Sequence, residues 1–431
     1  MERRRFAKRR ALKLAGAAGA SIAAIAALKR LEALSIPQPE RYIGPHPDFA
    51  ADVVVYRDGD EAVAVDSKGS KLCSSDDHWK VMDKVFDELE SIGGGIIRVR
   101  GVIEIDQYLV PRRNLLLIGA GDYDEGADEL GGDVIRAKSA MEALFITDEY
   151  VENFKIIGLG LDGKDLARRA LYKTGGYRVI LQGVEIARVK YAGVEATAGG
   201  GLFVDACRIN VSQKSAESDT CGIIANTDNV IAFNTIRGFK TGVRTTSGNN
   251  FIAFNHPFPM WGYSMDIGLD VMGDIVIGNY IDDFFVYGIR TRGWAAKIIG
   301  NILTASAGAG TATAYIAVDA DTPGATRADH IIVGNDGDAR GSTTVQYAIY
   351  FTDNIADAYG IRATNNRWKK VGAITNDERF LASAPLKIPV LSDCANARNG
   401  TAKGELMVCY DTGAAKWVLK VWDGSAWQTI G

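Results

Sequence analysis

Two neighbouring carboxylates, Asp282 and Asp283, stand in the run Asn-Tyr-Ile-Asp-Asp-Phe-Phe at 279–285, with Tyr280 and Phe284 in the run and Tyr287 just after it. One carboxyl that protonates a leaving oxygen, another that activates water or attacks, and rings for the apolar faces of sugars are what glycosidic chemistry requires. Adjacent residues of a strand point to opposite faces, so the pair acts together only where the chain turns. Arg290, eight residues beyond Asp282, is the third candidate catalytic residue, because a guanidinium can grip a sugar carboxylate. Further charges recur in short phrases: Gly-Val-Arg at 242–244, Gly-Leu-Asp at 268–270 and Gly-Ile-Arg at 288–290, with Ala317-Val318-Asp319 as the next member. Strand alternation turns Arg244, Asp270, Arg290 and Asp319 outward in one column of alternating sign, and Thr246, Met272, Arg292 and Asp321 follow two residues on. Such a column is either a ladder of surface ion pairs or a groove in which Arg244, Asp270 and Arg292 contact a glycan. Trp417, Trp422 and Trp427 near the C-terminus could stack on sugars or form a small core. The histidines, His46, His78, His256 and His330, are dispersed, and the five cysteines have no metal-ligand spacing.

The elements that must position these residues are legible as a repeat. Asn-Val-Ile-Ala-Phe-Asn, Asn-Phe-Ile-Ala-Phe-Asn, Asp-Ile-Val-Ile-Gly-Asn and Ala-Lys-Ile-Ile-Gly-Asn end at Asn234, Asn255, Asn279 and Asn301, in steps of 21, 24 and 22 residues. The series returns at Asn335 and at Asn365 or Asn366, after steps that imply loop insertions. A period of about 22 with very short β-branched runs is too short for a propeller blade and too strand-rich for a helical solenoid. It fits the coils of a parallel β-helix, each pairing its strands with those of the next coil. Ahead of the repeat, residues 52–56 and 62–66 read as a hairpin. Ser74 to Asp77 supply N-cap chemistry for a helix over 76–91, whose apolar positions are Trp79, Met82, Val85, Phe86 and Leu89. A helix there would cover the apolar end of the first coil.

The order of capping helix, Gly93-Gly94-Gly95, Ile-Ile-Arg-Val-Arg-Gly-Val and then Asn-Leu-Leu-Leu-Ile-Gly-Ala-Gly at 114–121 resembles the start of right-handed parallel β-helix proteins of the pectin-lyase-like superfamily. The resemblance spans about residues 70–372. It implies an all-β solenoid in which the recurrent Asn forms a structural ladder, and it leaves the reaction open, because such folds carry lyases, hydrolases, tailspikes and silent surface proteins. Polygalacturonase-type members have Asn-Thr-Asp, a later Asp-Asp, Gly-His-Gly and Arg-x-Lys. Here Asn226-Thr227-Asp228 is present, Asp282 follows only 54 residues on, and the last two motifs are missing. Lyase-like chemistry would cast Asp270, Asp274, Asp282 and Asp283 as a calcium cluster with Arg290 or Arg292 as base; calcium is the one cofactor considered, and no metal ligands are assigned.

The ends differ from the body. Residues 1–35 carry nine basic and two acidic side chains, a local +7 that leaves −11 on the rest of a chain totalling −4. An acidic body argues against a nucleic-acid partner. Arg-Arg-x-Phe-x-Lys at 3–8 followed by an uncharged Ala/Gly-rich run resembles a twin-arginine export signal, with an uncleaved membrane tether as the alternative. The expected divisions are 1–35, export signal or anchor; 36–68, Pro-rich linker and hairpin; 69–375, capping helix and β-helix; and 376–431, a β-meander similar to modules at the ends of viral tail fibres and surface proteins. Cys394 and Cys409 could pair in an oxidising compartment. The expected function is an exported surface or appendage protein, extracellular, on the cell surface or on a virion, whose β-helix binds a polysaccharide or surface glycan without catalysis. The alternatives are a polysaccharide lyase or glycoside hydrolase acting on an acidic polysaccharide, and a structural viral appendage; a homotrimer is compatible with all three.

Overall fold

The computed structural model describes residues 51–122, 130–260, 264–306, 310–320, 325–359, 361–376, 390–391, 406–411, 416–422 and 427–429, with backbone alone at 122, 325–328, 356–359 and beyond 376. The expected export signal, the linker before residue 51, Asp321, Cys394 and the side chains of Cys409 and the three C-terminal tryptophans lie outside what is described. The chain divides into two compact units, Met1–Asp377 and Glu378–Gly431.

The first unit is a parallel β-helix of three sheets. Sheet I has fourteen strands, sheet II seven and sheet III thirteen, and beyond the three leading strands of sheet I the parallel neighbours come from successive coils. Val230–Ala232, for example, pairs in parallel with Phe251–Ala253, which pairs with Ile275–Ile277, as the Asn-ended phrases require. The middle residues Ile231, Ile252, Val276, Ile298 and Ile332 are all buried, so each three-residue strand anchors one apolar side chain in the core. Among the described residues no helix is long and apolar enough to cross a membrane.

Two features of the repeat have direct physical causes. At the corner between sheets I and II one residue adopts positive φ in most coils, Phe233 at 59°, Phe254 at 57°, Gly278 at 64° and Gly300 at 63° among them. The chain bends there, and the following Asn is turned inward. Asn279 Oδ1 accepts from Asn255 N and Nδ2 at 2.9 and 3.0 Å, while Asn279 Nδ2 donates to Ile252 O and to Asn301 Oδ1, both at 3.0 Å. The same bonds join Asn234, Asn255, Asn279, Asn301, Asn335 and Asn366, so the register at the last coil selects Asn366, with Asn365 in the bend. These amides satisfy corner backbone that no water reaches. In sheet III, Gly242, Gly268 and Gly288 head the charged phrases, and Gly222 precedes them in the same column, because a Cβ at any of them would meet the next coil; at Gly268 it would lie 2.2 Å from Ile281 Cγ2 and 2.6 Å from Gly288 O.

The leading segment is more elaborate than a hairpin. Val53–Asp58, Glu61–Asp66 and a third strand, Lys71–Ser75, run antiparallel, and Val53–Asp58 then pairs in parallel with Gly95–Arg100 to start sheet I. Helix α1, His78–Ser91, is N-capped by Asp77, whose carboxylate accepts from Lys80 N. It buries Val81, Met82, Val85, Phe86 and Leu89, while Trp79 lies at its edge and donates to Tyr108 O at 2.9 Å. His78 is buried as a structural link: Nε2 donates to Asp60 O, and Nδ1 accepts from Glu104 N, each at 3.0 Å. In the second unit, Leu406–Asp411, Lys416–Trp422 and Trp427–Thr429 form the expected antiparallel meander, and Val390–Leu391 adds a parallel edge.

Candidate functional site

The site is organised by Tyr280–Thr291, at twelve residues the longest strand described. It carries the chain from the position of sheet II into sheet III without the usual corner. Its pairing shifts between Ile281 and Phe284, and Asp283 has φ of 58°. This bulge overrides strand alternation and sends Asp282 and Asp283 to one side. Both meet Arg340, whose Nη2 donates to the two Asp282 oxygens at 2.7 and 3.0 Å and whose Nη1 donates to Asp283 Oδ2 at 2.9 Å. Sequence separation hid Arg340: it lies 57 residues beyond Asp283 and is delivered because its N–H pairs with Ala305 O in the neighbouring coil.

His256 joins them from the preceding coil. Its ring stacks on Tyr280 at 4.7 Å and packs against Phe258 at 4.6 Å, and its Nε2 is 3.9 Å from Asp282 Oδ2. That separation is too long for a hydrogen bond. Both His256 Nε2 and Asp283 Oδ1 are enclosed and have no hydrogen-bond partner. The two carboxyls are driven apart electrostatically. Burial and the adjacent Asp282 charge push Asp283 above the ordinary carboxylate value, against Arg340. For Asp282, burial acts upward but is outweighed by His256, Arg340 and Tyr280, and its value falls.

Further along the same strand, Tyr287 faces Tyr350 at 6.5 Å and Tyr350 stacks on Tyr347 at 5.1 Å. The small Ala314 and Ala317 on the intervening strand leave room for this contact. From Tyr280 to Tyr287 the strand therefore sets aromatic rings on either side of the carboxylates, over about 20 Å.

The charged column is a closed ion-pair ladder. Arg244, Asp270 and Arg290 are level in the register, as the phrases imply. The fourth member is displaced: Arg290 is level with Ala317, and Asp319 lies two residues beyond, bonded through its N–H to Thr291 O. The insertion before this coil hides that offset. Asp270, expected as a bare outward carboxylate, is fully buried; Arg290 holds it at 2.6 and 3.0 Å, Arg292 at 2.8 Å and Arg244 at 3.6 Å. Arg244 also pairs with Asp219, and Arg290 reaches Asp319 at 3.6 Å. Arg290 is thus engaged in the ladder, apart from the Asp282–Asp283–Arg340 cluster.

The proposed calcium grouping does not form. Asp274 is fully buried at the corner between sheets III and I, where it accepts from Asn250 N at 2.8 Å, Asn250 Nδ2 at 3.0 Å, Met272 N at 3.0 Å and Thr245 Oγ1 at 2.5 Å. It continues a second polar ladder from Asn229 and Asn250. Among the described residues no three His, Cys, Asp or Glu side chains are placed to hold a metal ion. Cys207 and Cys221 are buried free thiols whose values burial pushes up to about 12.

No protein-family model matches the chain, and no curated protein matches it. Similar solved structures do exist. The tailspike protein of E. coli bacteriophage HK620 in complex with pentasaccharide is 14% identical with a TM-score of 0.45, covering 73% of this chain and 65% of that one. The mannuronan C-5 epimerase AlgE4 A-module of Azotobacter vinelandii is 14% identical at 0.44, covering 69% and 93%, and the AlgE6 A-module is 13% identical at 0.42, covering 69% and 95%. The chain spans less than two thirds of the tailspike chains, 63% and 65% of the two first matched. The parallel β-helix itself is established by the strand register above.

Proposed function

We propose that the first unit binds a polysaccharide along Tyr280–Thr291, in a protein exported to a surface or appendage. The observation that carries the binding reading is the partly exposed Asp282–Asp283–Arg340 cluster beside the stacked rings of His256 and Tyr280. A sugar hydroxyl can both donate and accept, so it suits the carboxylates and the guanidinium alike. The rings of Tyr280 and Tyr287 offer apolar faces to the C–H faces of neighbouring sugars. The saccharide-bound tailspike of similar fold is consistent with this reading. Export rests on the Arg-rich start of the chain and is checked by fractionating cells that make the full protein; retention in the cytoplasm would refute it.

A second reading, cleavage of the bound glycan, is favoured by the opposed shifts of the two carboxyls. Asp283, raised, would donate a proton to the leaving oxygen, and Asp282, lowered, would remain the carboxylate. One panel of neutral and acidic polysaccharides tests both. Retention that falls about tenfold in Tyr280→Ala and Tyr287→Ala, with no new reducing ends, supports binding alone. New reducing ends without unsaturated products that fall 10²-fold or more, roughly the contribution of a placed acid or base, in Asp282→Asn/Asp283→Asn would establish the hydrolase, whereas unsaturated ends would mark a lyase. Absence of retention on every glycan would remove the proposal.

A further inference from the structure

An open hollow of about 460 Å³ lies at the corners between sheets III and I in the early coils, away from the Asp282 cluster. That volume falls in the range of small-ligand pockets, roughly 300–1,000 Å³. Its walls are Tyr150 and Tyr177, 66% and 56% exposed although each carries a large apolar ring. Its floor is backbone. Gly175 has no space for a side chain, since a Cβ would lie 2.5 Å from Glu149 N, and Gly176 and Gly199 have φ of 82° and 65°. Beneath the floor the fully buried Lys173 donates from Nζ to Ala198 O at 2.8 Å and Gly199 O at 3.2 Å, fixing the turn.

The polar equipment suits hydroxyl groups. Arg113 donates through Nε to Tyr150 O at 2.8 Å, and neither of its Nη groups has a protein partner among the described residues. Glu149 and Glu152 line the same hollow with acceptors. Among the lining side chains Arg113 alone stands against Glu149 and Glu152, so the hollow is slightly negative and disfavours an acidic ligand. Flat apolar walls, a bare rigid floor and both donors and acceptors together match one neutral sugar ring.

We propose that this hollow is a separate saccharide site that takes a single pyranose of a neutral glycan, stacked on Tyr177 and bonded through its hydroxyls to Arg113 and Glu152. It shares the ligand class of the main reading but none of its residues. The test is saturation-transfer NMR on the full chain with the methyl glycosides of glucose, galactose and mannose, and with glucuronate as the acidic comparison. At least one neutral glycoside is expected to give a signal that drops roughly fivefold in Tyr177→Ala and in Arg113→Gln. It should persist in Tyr177→Trp, which keeps a stacking face, and in Tyr287→Ala, which alters only the other site. The proposal is overturned if no neutral glycoside gives signal, if Tyr177→Ala leaves the signal intact, or if glucuronate is the better ligand. Signal lost in Tyr287→Ala and kept in Tyr177→Ala would uphold the main site while removing this one.

Discussion

Asp274 shows how one side chain can be misread when its surroundings are unknown. By type it is a calcium ligand; by position it replaces an asparagine in a buried ladder, and it is Asp because both oxygens must accept. Asn229 and Asn250 offer one oxygen to the neighbouring coil, whereas the second oxygen of Asp274 also receives Met272 N and Thr245 Oγ1. Burial pushes its carboxyl up to about 6, against the pull of those donors. The folded value thus lies above the unfolded one. The folded protein holds this proton more tightly between the two, so its contribution to stability is full below about 4 and is lost as pH rises through about 6. Denaturant unfolding of wild type and Asp274→Asn across pH 3.5–7 is the measurement. The stability of wild type minus that of the variant should fall with rising pH, by on the order of 3 kcal/mol. A flat difference would mean that the carboxyl titrates alike in both states.

The elements were far easier to read than the site. The Asn and Gly phrases recur because each answers a constraint imposed by every coil, backbone to be satisfied at one corner and a carbonyl crossing too close for a Cβ in sheet III. A periodic cause leaves a periodic trace, which is why the register of Arg244, Asp270 and Arg290 could be read from spacing. Asp319 was misplaced by two residues where an insertion interrupts the count. The bulge at Asp283 could be foreseen only as a condition, and Arg340 not at all, because its approach depends on a coil whose length varies. The ladder makes a sharp prediction. Asn279→Ala removes the acceptor for Asn255 N and leaves Ile252 O without its donor, both in the buried corner. A loss of roughly 3 kcal/mol in denaturant unfolding is expected. Asn365→Ala, at the bend beside the ladder, should cost less than half as much. Equal losses would deny the ladder its special role.

As a whole, the first unit is a stack in which each coil covers the one before, so its exposed ends are its weakest points. At the leading end the solution is α1. It packs on strands Glu61–Asp66, Lys71–Ser75 and Val102–Ile105 and inserts Met82, Val85 and Phe86 with no exposure. Arg112 holds it from the body, reaching Asp83 at 3.1 Å and Asp87 at 2.7 Å. These ion pairs are partly exposed and contribute little, so the cap depends on its apolar face. Phe86→Asp places an unpaired charge in that face and should cost about 4 kcal/mol or more, enough to lift the helix away. Phe86→Leu keeps the face apolar and should cost about 1.5 kcal/mol or less. Lifting the cap uncovers the strands beneath it, whose edges can pair with a second molecule. Light scattering should therefore show association of Phe86→Asp at temperatures where Phe86→Leu and wild type remain monodisperse relative to their starting state, while circular dichroism still reports strand. If Phe86→Asp loses stability without associating, the helix contributes to the core without guarding the end of the solenoid.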